Sequence, residues 1–349
     1  MTTTTTSSSS GSLRTYLLTR LLLVIPMVWI LVTIVFFAMR VVGNPIEAHL
    51  SGHVPPAVIK AALHKAGYDR PLLTQYWDYI SGIAHLDFGK AVTDNQPVTH
   101  LLVTRGAATL ELTVYALLLA FLIGVPLGRV AARYRDRLPD AVLRVLAVLA
   151  YAMPVFYVGL LLQLLFAIKL GWVPPSGRAS IQAEAAIQNV SPNTHIYLLN
   201  AILYGNTSYI WDVLKHAILP ALTLGLLTAG VFLRLVRVNL LQTLRSDYVE
   251  AARARGVPER QVMRKHAFKN AMIPVVTVMG LQIAVLLGGA VLTESTFEWQ
   301  GIGYTLAHYI EAADYVAVQG IVAALAVIVA LVSFVIDVIA AVLDPRVRY

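Results

Sequence analysis

A few stretches of the sequence contain residue types that could support catalysis or nucleotide binding. Residues 84–91 read AHLDFGKA, which is close to the phosphate-binding loop G-x-x-x-x-G-K-[ST]. Ala84 replaces the first glycine and Ala91 replaces the hydroxyl residue that binds magnesium, so this stretch does not predict a nucleotide site. The sequence has no HExxH motif, no GxSxG motif and no cysteine, and Ser176 followed by Gly177 is more typical of a turn than of a nucleophile. We therefore predict no enzyme active site and no metal site.

Carboxylates next to long apolar runs are a second set of candidates, because ionisable groups at membrane depth are costly and often functional. Asp337 lies inside an apolar run, within about two turns of its end. Partial hydration or pairing with an arginine near the membrane would satisfy it in a packing or anchoring role, and a substrate contact is the alternative. Glu111 and Glu294 lie near the ends of other runs, and we expect them to face water. A proton relay would need several such groups deep in the membrane, which the sequence does not supply.

Small and amide residues mark one apolar run near residue 280. Gly280, Gly288 and Gly289 permit close approach of another helix, and Gln282 lies between them. Such residues could line a pathway across the membrane, which makes Gln282, Gly288 and Gly289 candidate pathway residues. Helix packing alone explains the same residues equally well.

The composition indicates that the bilayer is the solvent for much of the chain. Of its 349 residues, 58% are hydrophobic and 13% are charged, which leaves too little polar surface for a soluble globule. Six apolar runs are long enough to cross the hydrocarbon core as helices. They predict an all-α, polytopic membrane protein with spans at 17–39, 110–130, 142–170, 218–238, 273–292 and 316–343.

The N-terminal residues fall into a polar tail and an apolar run. Residues 1–13 are rich in Ser and Thr and have nothing to bury, so we expect them to be disordered. The run that follows Arg14 and Arg20 is longer than a secretory signal core and has no clean cleavage site, which predicts a retained signal anchor. In the third run, Pro154 predicts a kink or a tilt.

The distribution of charge predicts the orientation of the spans. When successive loops are assigned to alternate sides, two thirds of the 27 Lys and Arg residues fall on the side of the N-terminus. The positive-inside rule then places both termini in the cytoplasm, and the basic balance needs no nucleic acid to explain it. The cytoplasmic segments become 131–141 and 239–272, and the outer segments become 41–105, 171–216 and 297–315.

A strongly charged stretch, EAARARGVPER, occupies residues 250–260 of the second cytoplasmic segment. A helix there can begin at Asp247 as its N-cap and contain Glu250, Ala251, Ala252 and Arg255. The small alanines give a face that another protein can approach closely, with arginines around it.

A turn and a second helix are predicted to follow. Gly256 lies where helices end in a left-handed residue, and Pro258 with Glu259 suits the first turn of a new helix. We therefore predict a helix, a glycine turn and a second helix in the cytoplasm. A loop that binds lipid headgroups through its basic residues is the alternative, and the charges alone favour it.

The order of residues in this loop resembles a known family. Glu-Ala-Ala, three residues and then Gly, before the next-to-last span, resembles the EAA loop of ABC importer permeases. Five further stretches resemble the dipeptide/oligopeptide branch of that family, in the same order. They are DRPLLTQYWDYISG, DFGKAV and QPVTHLL within 69–102, TLELTVYALLLAFLIGVPLG at 109–128, HAILPALTLG at 216–225, GLQIAVLLGGAVLTESTFEWQGIG at 280–303, and Asp337 with LDPRVR at 343–348. The chain is thus similar to the B-type membrane subunit of a peptide ABC importer over nearly its whole length.

Some positions depart from the family pattern. HAFK at 266–269 stands where the general EAA pattern continues as I-x-L-P, LDFG at 86–89 replaces GDLG, and Gln300 replaces a proline. Residues 178–215 are longer than the usual outer loop, so no function of this insert is implied.

The resemblance implies a type I ABC importer permease fold and a transport subunit rather than an enzyme, in a bacterial cell membrane. It implies four kinds of partner: a second permease subunit, two ATP-binding subunits that hold ATP and magnesium, an extracytoplasmic substrate-binding protein, and a peptide substrate. This chain would bind no cofactor itself. The coupling to the ATP-binding subunit would involve Asp247, Glu250, Ala251, Ala252, Arg255, Gly256 and Glu259.

Two other classes of protein compete with this interpretation. A secondary transporter would need coupling-ion sites at the midplane, and the scarcity of deep ionisable residues argues against it. A membrane scaffold would not need a cytoplasmic helix pair with a glycine turn. The exact cargo stays open, since the same branch also carries nickel, glutathione, cell-wall peptides, opines and some sugars.

Overall fold

The computed structural model describes residues 13–42, 55–65, 67 and 69–343. The tail predicted to be disordered lies outside these residues except for its last member, and so do residues 344–349 and part of the outer segment 41–105.

Helices are the regular elements of the described residues. In chain order they are α1 (Leu13–Val42), α2 (Pro56–Lys65), α3 (Leu72–Ala84), α4 (Val98–Arg133), α5 (Leu138–Ala152), α6 (Val155–Leu162), the π-helix π1 (Gln163–Lys169), α7 (Ile181–Gln188), α8 (Tyr197–Tyr204), α9 (Thr207–Thr243), α10 (Asp247–Ala254), α11 (Glu259–Gln261), the π-helix π2 (Val262–Ala267), α12 (Phe268–Gly289), α13 (Val291–Thr296), α14 (Ile302–Glu311) and α15 (Tyr315–Leu343).

Five of these helical stretches are long and apolar enough to cross a membrane. They are Leu17–Val41, Val98–Arg133, Thr207–Thr243, Glu259–Gly288 and Tyr315–Ile339. A sixth candidate is the pair formed by α5 and α6–π1, in which the helix direction changes by 105° at the break between them. Each predicted span overlaps one of these stretches. The second and fourth spans correspond to α4 and α9, which extend well beyond the apolar runs that predicted them.

Glycines allow α4 and α9 to pack closely along much of their length. A Cβ on Gly124 would lie 2.6 Å from the Ala229 carbonyl oxygen, and one on Gly225 would lie 3.0 Å from that of Ala116. Ala116 of α4 faces Gly225 of α9, and Gly124, which comes later in α4, faces Ala229, which comes later in α9. The two helices therefore run parallel. The chain between them must therefore recross the membrane, which makes the bent pair the sixth crossing.

The bend in this sixth crossing follows from Pro154, as the sequence predicts. α5 ends at Ala152 and α6 begins at Val155, with the Met153 N–H still donating to the Leu149 carbonyl. Proline has no N–H and disfavours helical conformation in the residue before it, so the helix cannot continue through this point. The predicted kink is in fact a complete break.

Polar contacts gather the predicted outer segments at one end of the bundle. Asp314 accepts hydrogen bonds from the backbone N–H groups of Val92 and Thr93, at 2.6 and 2.8 Å. Residues 171–206 add a small lobe with α7 and α8, whose apolar side chains Ile187, Tyr197 and Ala201 are buried together with Val213 of α9. The predicted cytoplasmic segments meet at the opposite end.

Candidate functional site

The charged stretch forms the short helix α10 at the end of the bundle opposite the outer lobe. Its N-cap is Ser246 rather than Asp247, and the Ser246 hydroxyl donates to the Thr243 carbonyl instead of capping the helix. Asp247 and Glu250 lie in the first turn, where carboxylates interact favourably with the positive end of the helix dipole. The predicted helix is present, but Asp247 is inside it.

One side of α10 packs against the bundle. Val249 is fully buried and Ala252 is 6% exposed, in a cluster with Ala132, Leu240 and Val262. These neighbours belong to the ends of α4 and α9 and to the beginning of the fifth span. The expectation that Ala252 lies on an open docking face is therefore wrong: its small side chain fits α10 against its own chain, while Ala251 is partly exposed.

An ion pair joins α10 to the helix that follows. The Arg253 Nε–H and one terminal amino group of its guanidinium donate to the Glu259 carboxylate, at 3.0 and 2.8 Å, and the other terminal amino group donates to the Leu244 carbonyl at 3.2 Å. The Glu259 hydrogen bonds raise the pKa of Arg253 above its usual value. Arg253 thus links α10 to α11 and to Leu244 at the end of α9, a role that the sequence analysis did not predict.

The turn between the two helices depends on Gly256. Its φ is +76°, its N–H donates to the Arg253 carbonyl at 2.9 Å, and an added Cβ would touch nothing within 4 Å. The left-handed conformation, not lack of space, therefore favours glycine here. The second helix differs from the prediction, because α11 has three residues and continues through π2 into the fifth span.

The exposed surface of this region carries the remaining coupling candidates apart from Ala251. They are Asp247, Glu250, Arg255, Gly256 and Glu259. The helix is thus attached to three spans on one side and presents carboxylates and arginines on the other.

The candidate pathway residues of the fifth span have different surroundings. Gln282 lines a cavity of about 190 Å³ between α5, α6, α9 and α12. An added Cβ on Gly280 would lie 2.5 Å from Ile336 of α15, so Gly280 has a packing role. Within the described part of the chain, an added Cβ on Gly288 would have nothing within 4 Å, so Gly288 makes no close contact with another helix there. Gly289 is the last residue of α12.

The two carboxylates expected to face water are buried, and this expectation is wrong. Glu111 is 3% exposed and binds the Arg178 guanidinium at 2.6 Å. Arg178 also lies 3.6 Å from the Tyr197 ring centroid, in the outer lobe. A buried carboxylate requires a partner, and the outer segment 171–216 supplies it. The sequence could not show this pairing, because it joins residues 67 positions apart.

Glu294 is enclosed by the chain that follows it. It is fully buried, accepts from the Thr109 hydroxyl at 2.6 Å and from the Tyr304 N–H at 2.9 Å, and occupies the space beside Gly301 and Gly303. Burial raises the pKa of Glu294 to about 7, although hydrogen bonds to Thr109 and to backbone N–H groups oppose the shift. This carboxylate therefore connects α13 to the beginning of α14 and to Thr109 of α4.

Two further ion pairs lie toward the opposite end of the bundle. Asp337 contacts Arg20 at 3.3 Å, which is the arginine pairing expected from the sequence. Asp140 is fully buried and makes a two-point contact with Arg237, at 2.6 and 2.8 Å, which sequence reasoning missed.

Comparison with known proteins shows the family. Residues 124–349 match the model of the binding-protein-dependent transport system inner membrane component. The chain is 38% identical over 337 residues to the di/tripeptide transport system permease protein of Pseudomonas aeruginosa, covering 96% of this chain and 99% of the relative. It is 36% identical over 338 residues to the dipeptide transport system permease protein of Escherichia coli K12, with 96% and 98% covered. The glutathione transport system permease protein of Salmonella choleraesuis is 35% identical over 335 residues, with 96% and 99% covered.

The chain therefore belongs to the family of inner membrane components of binding-protein-dependent transport systems, and it is an ABC importer permease subunit rather than an enzyme. A chain of the MetNI methionine ABC transporter, in an inward-facing conformation, has a similar fold: the TM-score is 0.51 at 18% identity, covering 70% of this chain and 97% of that one. The predicted family and its permease fold are confirmed.

Proposed function

We propose that this chain forms one half of the transmembrane pathway of an ATP-driven importer of dipeptides or oligopeptides, and that α10 couples it to ATP hydrolysis. The relatives named above transport di/tripeptides, dipeptides and glutathione, all of which contain peptide bonds. ATP and magnesium belong to two partner ATP-binding subunits, and a second permease subunit and an extracytoplasmic binding protein complete the importer.

The attachment of α10 carries this proposal. Its buried residues Val249 and Ala252 connect it to the ends of α4, α9 and the fifth span, while its carboxylates stay exposed. A rigid element with one face free and the other packed on three spans can pass a movement from a partner to the membrane helices. Asp247, Glu250, Arg255 and Gly256 would contact the ATP-binding subunit, together with Ala251 and Glu259.

The transport pathway is proposed to run beside α12. Gln282 would contribute an amide to it, and Gly288 and Gly289 would leave room for substrate. In this proposal both termini lie in the cytoplasm of a bacterial cell, and the outer segments receive the substrate-binding protein.

The coupling role predicts that Gly256→Val and Glu250→Lys abolish peptide uptake without removing the chain from the membrane. Valine is β-branched and strongly disfavours the left-handed conformation of the turn, and lysine reverses an exposed charge on the docking face. The measurement is uptake of alanyl-phenylalanine into vesicles, with ATP hydrolysis by the full complex assayed in parallel.

The matched control for the turn is Gly171→Val. Gly171 also has a positive φ, of +63°, and nothing within 4 Å of an added Cβ, but it lies in the outer segment. It should keep peptide-stimulated ATP hydrolysis, which both α10 variants should lose. Normal uptake in the two α10 variants would rule out coupling through α10.

A further inference from the structure

The break in the sixth crossing opens onto the cavity that contains Gln282. Tyr151 of α5 and Val155 of α6 line this cavity from either side of the bend, and Thr228 of α9 lies opposite. Tyr151 is 76% exposed. The rest of the described lining is apolar, so the cavity presents three polar side chains and no charge.

The cavity lies at membrane depth. Tyr151 is 13 residues beyond the start of α5, and Thr228 is 15 residues before the end of α9. At about 1.5 Å per residue, both residues lie roughly 20 Å from the end of the bundle that carries α10. Water is scarce at such a depth unless a cavity admits it.

Two of the polar groups are available to a ligand. The Thr228 hydroxyl donates to the Leu224 carbonyl of its own helix, at 3.1 Å. The Tyr151 hydroxyl and the Gln282 amide make no hydrogen bond within the described part of the chain. A polar group held in hydrocarbon without a partner is costly, so these two groups are expected to face water or substrate rather than lipid.

The break between α5 and α6 independently indicates that this face does not contact lipid. The last carbonyls of α5 and the first N–H groups of α6 have no partners within their own helices. Interrupted backbone at membrane depth is tolerated where it is buried in protein or lines a water-filled cavity, and not where lipid contacts it. The exposed face of the bend, which carries Tyr151, therefore has to face protein or a water-filled pathway rather than lipid.

We propose that Tyr151 and Gln282 form half of a site that hydrogen-bonds the backbone of a peptide in transit, with the second permease subunit supplying the other half. This inference rests on the proposed function. A hydroxyl and a carboxamide can each donate and accept, which matches the N–H and C=O groups that every peptide shares. A site without charge around them binds the backbone without selecting among side chains, as a carrier of varied peptides requires.

Cysteine labelling tests whether peptide reaches these positions. The chain has no cysteine, so Tyr151→Cys and Gln282→Cys each add one thiol. The full complex, in membrane vesicles with ATP, is treated with a membrane-impermeant cationic thiosulfonate, with or without alanyl-phenylalanine and its binding protein. Both thiols should be labelled, and the peptide should slow labelling at least fivefold.

The matched control is Tyr157→Cys. Tyr157 is 48% exposed on α6 but does not line the cavity, so peptide should leave its labelling unchanged. Absence of labelling at residues 151 and 282, or labelling that peptide does not slow, would overturn the site. If the unmodified complex imports no peptide, the proposed function itself fails. If it imports peptide but the peptide does not slow labelling at residues 151 and 282, only the proposed site is overturned.

A second experiment tests the hydrogen bonds. The double variant Tyr151→Phe and Gln282→Met keeps the bulk of both side chains. Uptake of alanyl-phenylalanine is compared with uptake of its N-methyl analogue, which lacks the amide N–H, each supplied on saturated binding protein. The unmodified complex should prefer the peptide by about fivefold and the double variant by less than twofold, and an unchanged preference would overturn the hydrogen-bonding role.

Discussion

At the scale of single residues, Glu294 shows how a buried carboxylate makes stability depend on pH. Its pKa in the folded chain is about 7, while a solvated glutamate has a pKa near 4.5. Between these two values the folded state keeps a proton that the unfolded state releases. Stability should therefore fall as pH rises from about 4.5 to 7 and then level off, with a loss on the order of 3 kcal/mol.

Glu294→Gln should remove this pH dependence, because an amide does not titrate. The measurement is the Tm of the purified chain in detergent between pH 5 and 8, for the variant and the unmodified protein. Glu298→Gln is the matched control, since Glu298 is an exposed carboxylate four residues away and should leave the profile unchanged. Parallel profiles for the unmodified chain and Glu294→Gln would contradict the assignment.

At the scale of helices, the Asp140–Arg237 pair fastens the beginning of α5 to the end of α9. The Asp140 carboxylate is fully buried and also accepts from the Asp136 N–H at 3.0 Å. Removing one member of a buried pair leaves an uncompensated charge, which costs about 3–5 kcal/mol. Arg237→Met should therefore lower the Tm strongly, and the double variant Asp140→Asn with Arg237→Gln should recover part of the loss.

Arg144→Met is the control for this pair. Arg144 approaches the same carboxylate at 3.6 Å, but its side chain is 52% exposed. An exposed ion pair contributes about 0–1 kcal/mol, so this variant should barely change the Tm. Equal losses for Arg144→Met and Arg237→Met would show that burial does not govern the strength of the contact.

The helices also show what the sequence could predict. Apolar runs, Pro154 and Gly256 report local physics, and the spans, the break and the turn follow from them. The side of α10 that faces the bundle could not be predicted in this way, because alanine suits both a packed and an open face. Ala252 is in fact buried. The Glu111–Arg178 ion pair and the position of Tyr151 beside the Gln282 cavity were missed for a similar reason: both depend on partners distant in the sequence.

At the scale of the whole molecule, contacts divide the loops into two groups, one at each end of the bundle. One end joins residues 92 and 314, 109 and 294, and 111 and 178 through hydrogen bonds and an ion pair. The other end joins residues 140 and 237, and 132 and 249. This division agrees with the alternation inferred from charge, in which the second group of loops carries most of the arginines.

The charges predict which end of the bundle faces the cytoplasm. The assignment of successive loops to alternate sides puts two thirds of the Lys and Arg residues on the side of α10, and the positive-inside rule places that side in the cytoplasm. Gln182→Cys at the outer lobe and Arg260→Cys beside α10 place single thiols at exposed positions on opposite ends. In right-side-out vesicles, an impermeant maleimide should label residue 182 at once and residue 260 only after permeabilisation. The reverse pattern would invert the topology and would separate α10 from ATP, so this orientation must hold for the coupling role to be possible.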